Sequence, residues 1–528
     1  MRNYLRECKD TMKISAENAT RPKLSMKYAD GALRITRTPG RQNTRNTVSL
    51  DDLIEPKYLS AAMIYSYFIE PGYLFERFLP LKTGYHLYRP HVPIYIGRDL
   101  SMDGVGQEFG GFTTTKPTTA DFENAVECAQ AGYREMYGDN FHPFYPKMTG
   151  GGCAHSKFMI LVYPDFLRVA ITSANLMKLD VVRGDNMWYI QDFPRRAKDD
   201  ESEQARTGRA FQADLRKHVE ELACPTAFTK AHLDGAFDFS AAKVYLVTSK
   251  PGTFSKDRAS DYGQLKLRDI VRRKIFKKFS KANPPPKLSF EICVGSVGHL
   301  QTQDVVKNFL ESCTGNLQKS IEGKPKLKMI FPTVDDVENS TLGRAGANNI
   351  SCHMDWRKLE EKNAEYLKDV FYHYYSKDRG CLFHTKSILA LHADAPKATP
   401  LYMYLGSANF STNAWGAVKP EKRLGVQATG ITERLEGIGN FECGVVIKGW
   451  HIAGMLETGK WEDIVPYERP TEAMRYKDGE WPWKLTYADM QGTAGGPSAP
   501  DADEMPCSVM DLVRVLSKKK VLHLRGEA

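Results

Sequence analysis

Nowhere in the 528 residues does an uncharged apolar run approach the roughly 18 residues that a membrane-spanning helix needs, and the longest obvious one is FMILVY at 158–163. The N-terminus, MRNYLRECKDTMKISAENA, lacks the apolar stretch of a secretory signal, and its acids count against a transit peptide. No C-x-x-C pair occurs among the ten scattered cysteines, so reduced thiols in an intracellular setting are expected. The same scatter counts against structural zinc, whose ligands come in close pairs, and no metal or other cofactor is expected. Nor is there an excess of acid: 73 Lys+Arg face 64 Asp+Glu, a formal charge of +9. At 42% hydrophobic, 11% aromatic and 26% charged residues, the chain falls outside the collagen-like, coiled-coil and disordered classes. Its length suits two or three domains.

The basic excess is unevenly spread. Residues 1–45 hold eleven Lys/Arg against four acids and few large apolar side chains, which reads as a flexible basic N-terminal arm, suited to phosphates or nuclear import or simply solvated. Beyond it, alternating strand-like and helix-like runs predict two α/β domains, 46–239 and 240–489. In the first, SLDDLIEPKYLSAAMIYSYFIE from Ser49 reads as a capped helix running into a strand with Tyr67 among alternating apolar residues, and strands at 92–97, 157–163 and 167–173 flank a helix starting near Ala120. In the second, AKVYLVTSKPG, FEICVGSVG, LKMIFP, CLFHTKSILALH, PLYMYLGSA and ECGVVI read as strands, and the stretches from Leu300 and from Asp355 as helices. Residues 490–528 read as a Gly/Ala/Pro-rich linker and a short basic C-terminal segment. The densest charge run, 266–287, carries nine basic side chains and one acid, with the interleaved apolar register of a helix that has one wide basic face. Such a face is commonly just solvated, but it also suits a polyanion.

A small constellation occurs twice. CAHSKFMILVY contains His155 and Lys157 and is followed by RVAITSANLMKLD with Asn175; LFHTKSILALH contains His384 and Lys386 and is followed by MYLGSANFSTNAW with Asn409. Each copy reads strand, turn, strand, and the two-residue period puts the His and Lys of H-x-K on one face. One H-x-K means little, and a lone strand histidine is more often structural; two copies in register, each followed by S-A-N, predict one shared site. Two lysines and two asparagine amides suit the non-bridging oxygens of a phosphodiester. Two histidines supply a nucleophile and an acid/base near neutral pH.

These residues resemble the phospholipase D superfamily. Val162 and Leu391 stand where its H-x-K-x-x-x-x-D pattern has aspartate, and this absence, with Asn175 and Asn409 downstream, is similar to the tyrosyl-DNA phosphodiesterase branch. The resemblance runs from about Ser49 to Asp489. It implies two similar α/β/α sandwich domains related by a pseudo-two-fold axis, with the active site between them. It also implies a DNA repair phosphodiesterase that cleaves 3′-phosphotyrosyl bonds left by topoisomerase I, working as a nuclear monomer on single-stranded or duplex DNA 3′ ends, without metal and without a membrane. On this resemblance His155 is the nucleophile, His384 the acid and then the base, and Lys157, Lys386, Asn175 and Asn409 hold the phosphoryl oxygens. Glu442 matches the glutamate that supports the nucleophile. Asn186, one methylene shorter than the family glutamine, stands where support for His384 is expected. Tyr67 matches a tyrosine on the peptide side, and Ser296 and Ser411 match positions near the DNA strand. Position 151 is Gly where better-known members carry a base-stacking aromatic. Two other readings keep part of this pattern: a nuclease or phospholipase of the same superfamily, and a non-catalytic DNA-end-binding protein.

Overall fold

The computed structural model describes residues 24–41, 43–83, 88–103, 119–148, 151–196, 202–298, 303–317, 327–354, 365–378, 380–421 and 432–485. The expected linker and basic C-terminal segment, 490–528, and residues 1–23 of the expected arm lie outside them. In the first half, strands β1 (Ala32–Thr36), β2 (Thr47–Val48), β3 (Ala61–Tyr65), β4 (Ile94–Gly97), β5 (Phe141–Phe144), β6 (Phe158–Val162), β7 (Phe166–Thr172) and β8 (Met187–Pro194) form one sheet, in the order β2-β1-β8-β7-β6-β3-β4-β5. In the second half, β9 (Val244–Ser249), β11 (Leu288–Cys293), β13 (Leu327–Ile330), β15 (Phe371–Tyr372), β16 (Ser387–His392), β17 (Tyr402–Gly406) and β20 (Glu442–Lys448) form another, in the order β15-β13-β11-β16-β17-β20-β9. Smaller ladders join β10 (Gly252–Phe254), β19 (Thr432–Ile438) and β18 (Ala417–Glu421), and β12 (Ser296–Val297) with β14 (Ser351–Cys352).

Setting β1-β8-β7-β6-β3-β4-β5 against β9-β20-β17-β16-β11-β13-β15 matches seven strands one to one, including direction. The β3/β4, β4/β5, β11/β13 and β13/β15 pairs are parallel and the others antiparallel. One α/β sheet unit is thus present twice, giving the two similar domains that the resemblance implies. Strands such as FMILV are apolar throughout because both faces are covered. Phe158, Ile160 and Val162 face a core that continues into the second half, while Met159 and Leu161 face a separate cluster with the helix Thr119–Tyr137.

Three sequence expectations need correction. The arm does not remain free to residue 45: Ala32–Thr36 pair with β8, Arg34 meets Glu457 at 2.8 Å, and Arg41 pairs with buried Asp185 and, at 3.1 Å, with Asp378. Five consecutive buried residues in β1 complete the sheet, and that burial outweighs the local charge. The helix expected from Asp355 is described only from 365, where Glu365–Val370 is 3-10 and Phe371–Tyr372 is a strand beside β13. There, aromatic side chains gain more by filling the sheet's edge than by continuing an amphipathic helix. The 266–287 run is helical only over Gly263–Ile270 and one π turn, Val271–Ile275, and Arg268 in it is buried against Glu433 and Ser312.

Candidate active site

Both H-x-K motifs lie in the extended segment just before a strand, not within it. Pairing of β6 with β7 sets the residues before β6 beside those after β7: Thr172 N–H donates to the Lys157 carbonyl (3.1 Å), and Asn175 follows three residues later. In the second half Gly406 N–H donates to the Lys386 carbonyl (3.2 Å), with Asn409 three residues on. Each histidine segment is then clipped to the opposite half by a parallel bridge, Ala154 with Phe441 and Phe383 with Asp185. At the first clip Gly152 abuts Gly439 so closely that a Cβ would lie 1.8 Å from the Gly439 carbonyl oxygen, so no larger residue fits.

The imidazoles of His155 and His384 face each other with centroids 6.4 Å apart and planes at 85°. Both are buried, at 7% and 4% exposure. Nδ1 of His155 lies 3.1 and 3.0 Å from the two oxygens of Glu442. That carboxylate also accepts from Ser407 Oγ and from Asn440 Nδ2 (2.9 Å). An ionised carboxylate only accepts, so the ring proton sits on Nδ1 and the Nε2 lone pair is free.

Behind His384 the structure departs from expectation. Its Nδ1 meets Asp180 Oδ2 at 2.8 Å, and Asn186 does not touch it. The Asn186 amide is used within its own half, accepting from Ser173 Oγ (2.9 Å) and donating to the Asp180 backbone carbonyl (2.9 Å). Too short to cross to the second half, it instead holds the backbone of the residue that does. Asp180 also accepts from Asn175 N–H (2.7 Å) and Asn349 Nδ2 (2.9 Å). Sequence reasoning missed Asp180, Asn349, Ser407 and Asn440. The available signal was Asp180 itself, which closes the first motif five residues after Asn175 in the short helix Lys178–Val181.

Lys157 and Lys386 are fully buried, and each ammonium donates to its own histidine's backbone carbonyl, at 2.8 Å for Lys157. Burial lowers Lys157 to about 8 against the pull of Glu442. Lys386 is lowered further, by burial and by the Lys157 charge. Burial also lowers His155, against the pull of Glu442, and lowers His384 to about 3 with help from Lys386 and against Asp180. Burial would raise both carboxyls, but His155 and Lys157 hold Glu442, and His384 and Lys386 hold Asp180, below the usual carboxylate range. Two buried lysines thus crowd each other beside two carboxylate-backed imidazoles, and an anion held between the lysines would favour their charged forms.

Asn409 accepts from Ser296 N–H (2.9 Å) through Oδ1, which leaves its amide donors for a ligand. Asn175 is buried beside Asp180, and its Oδ1 has no hydrogen-bond partner. Tyr67 packs its ring 5.5 Å from that of His155 and 5.8 Å from Lys157 Nζ, forming one wall. Ser296 aligns Asn409 through its backbone, and Ser411 caps the helix Thr412–Trp415 by accepting from Ala414 N–H (3.2 Å). Gly151 is exposed, with nothing within 4 Å of where a Cβ would point. Among the described residues no group of three or more His, Cys, Asp or Glu is placed to hold a metal ion.

The family model described as tyrosyl-DNA phosphodiesterase matches residues 32–472. The chain is 30% identical over 287 residues to tyrosyl-DNA phosphodiesterase 1 of Arabidopsis thaliana, covering 51% of this chain and 44% of that protein. It is 24% identical over 217 residues to a probable tyrosyl-DNA phosphodiesterase of Schizosaccharomyces pombe, covering 40% and 38%. The matches thus span less than half the length of either relative. In fold, the yeast tyrosyl-DNA phosphodiesterase structure superposes with a TM-score of 0.57 at 14% identity, over 86% of this chain and 100% of that one.

Proposed function

The chain belongs to the tyrosyl-DNA phosphodiesterase family, and on that footing we propose that it is a DNA repair hydrolase for the phosphodiester between a DNA 3′ end and the tyrosine of a topoisomerase I-derived peptide. The observation that carries this reading is the pairing of two carboxylate-backed histidines across one pocket with two buried lysines. Phosphodiester chemistry asks for these groups: a nucleophile, a proton donor on the opposite side and fixed positive charge on the equatorial oxygens.

Nε2 of His155 attacks phosphorus as the tyrosyl oxygen departs, and His384 gives that oxygen its proton. The N–P bond so formed leaves the DNA 3′ end covalently attached to His155. A bound phosphodiester brings negative charge beside His384 and offsets the lysine field, which raises its basicity enough for it to carry the proton. The now neutral His384 deprotonates water, the hydroxide displaces His155, and a 3′-phosphate is released. Glu442 and Asp180 hold the two rings in the required tautomer and stabilise the charge each acquires. Lys157, Lys386, Asn175 and Asn409 hold the phosphoryl oxygens in both steps, and Tyr67 lines the leaving-group side. Other 3′ adducts, including a terminal nucleoside removed as by an exonuclease, fit the same route. Both units lie on one chain, so a monomer suffices, and work on chromosomal DNA ends implies the nucleus.

The test is a gel assay of wild type and His155→Ala on a 5′-labelled oligonucleotide ending in 3′-phosphotyrosine, in EDTA. Conversion to the 3′-phosphate by wild type alone is expected. Cleavage of plain DNA or a phospholipid in its place would turn the reading to another member of the superfamily, and binding without turnover would overturn catalysis.

A further inference from the structure

Part of the 266–287 basic run has no place in the catalytic pocket. Three of its lysines, Lys274, Lys277 and Lys278, line a cleft of about 520 Å³ together with Lys243, Lys448 and Trp450. These six come from three separate parts of the chain: the turns following Gly263–Ile270, the start of β9, and the end of β20 with the helix Gly449–Ile452 behind it. Five lysines therefore meet one lining acid, Glu203, which reaches Lys277 at 3.2 Å with both side chains mostly exposed. Among the described residues Lys274, Lys278 and Lys448 have no carboxylate within ion-pair distance. The indole of Trp450 is 65% exposed, an unusual state for so large an apolar surface. Lys448 Nζ stands 5.2 Å from the ring centres of both Trp450 and Tyr245, so cation and aromatic faces alternate along the cleft.

This cleft is remote from the chemistry. Glu442 opens β20 at the catalytic end, and Lys448 closes the same strand, roughly 20 Å away at about 3.3 Å per residue. Antiparallel β9 agrees, with Ser249 opposite Glu442 and Val244 opposite Ile447.

We propose that the Lys243/Lys274/Lys278/Lys448 cleft with Trp450 is a second nucleic-acid site, holding a single-stranded segment by its phosphates and stacking one of its bases on the indole. Lysines that outnumber their acids, Glu203 at 3.2 Å from Lys277 and Asp30 at 3.4 Å from Lys243, suit a polyanion, and an exposed planar ring among them selects one with unstacked bases, since the bases of a duplex offer no free face. The site is independent of the reading given for the catalytic pocket.

The test measures anisotropy of a fluorescent dT15 carrying a plain 3′-hydroxyl, with Lys274→Ala/Lys278→Ala and Trp450→Ala compared with wild type across a salt series. Each variant should weaken binding about tenfold, and the double lysine variant should also flatten the dependence of log affinity on log salt by about 1.4, at about 0.7 per single-strand phosphate contact. Turnover of a mononucleotide 3′-aryl phosphate, too short to reach the cleft, should stay at wild-type level. Unchanged dT15 binding in both variants would overturn the proposal, as would loss of short-substrate turnover together with binding. Displacement of dT15 by polyglutamate as readily as by unlabelled oligonucleotide would overturn its nucleic-acid character. If wild type itself fails on the short substrate, the catalytic reading falls while the binding result still decides the cleft.

Discussion

The two halves share seven strands in the same order and direction, yet each borrows the carboxylate behind its histidine from a different kind of element. His155 in the first half takes Glu442 from the opening residue of β20 in the second. By the strand correspondence, the equivalent place in the first half lies at the start of β8, where Asn186 sits. That amide stays within its own half, and Asp180 from the short helix Lys178–Val181 crosses to His384. Duplicated scaffolds can therefore satisfy one electrostatic demand, a negative charge at hydrogen-bond distance from Nδ1, without using the same position. The exchange also binds the halves together, because neither histidine is oriented by its own domain.

The sharpest break of this symmetry should come at the histidines. His155→Ala should lower turnover at least about 10⁴-fold with no covalent adduct. His384→Asn should let attack outrun hydrolysis, so that protein–DNA adduct accumulates on denaturing gels; no adduct with a tyrosyl substrate would reverse the roles given to the two halves. Next come the carboxylates. Glu442→Gln should slow adduct formation by about 10²–10⁴-fold, and Asp180→Asn should slow adduct hydrolysis by about 10²-fold in single-turnover kinetics. Asn186→Ala should cost less than Asp180→Asn, and the opposite ranking would restore Asn186 as the group that orients His384.

A smaller effect concerns the lysines. Burial lowers Lys157 to about 8, so the free site loses this cation as pH rises through that value. Lys157 should therefore contribute a step near pH 8 to the alkaline limb of the kcat/KM profile, and Lys157→Arg, which cannot deprotonate in this range, should remove that step. A limb unmoved by the arginine would assign it to another group. The mildest contrast is structural. Gly152→Ala drives a Cβ into the Gly439 backbone at the seam and should cost about 1–3 kcal/mol in thermal or denaturant unfolding. Gly151→Ala, in open space one residue earlier, should change stability by no more than about 0.5 kcal/mol. Equal effects would mean that the seam yields.

Much of the site was legible because its signal is local. H-x-K with S-A-N three residues past a hairpin partner is a short-range pattern, and ladder pairing carries it directly into space. The strands around it are apolar runs whose burial leaves little choice of conformation, as in FMILV. Where reading failed, the deciding contact was distant in the chain. Asp180 and His384 are 204 residues apart, and nothing at either position announces the other. Ala32–Thr36 lies amid basic residues and takes strand form only because β8 offers an open edge. Arg268 looks like part of a solvated face but is held inside by Ser312 and Glu433.

By itself the sequence determined the chemistry: which nucleophile, acid/base, cations and amides the chain can bring, and that they come as a repeated pair. Spacing of a few residues, carried by strand geometry, is enough for that. Tertiary structure alone decided which carboxylate orients which histidine, which charges of the basic stretches turn inward and which gather at the cleft. Those outcomes depend on desolvation and on fit between segments hundreds of residues apart, and both come into being only when the two halves close on each other.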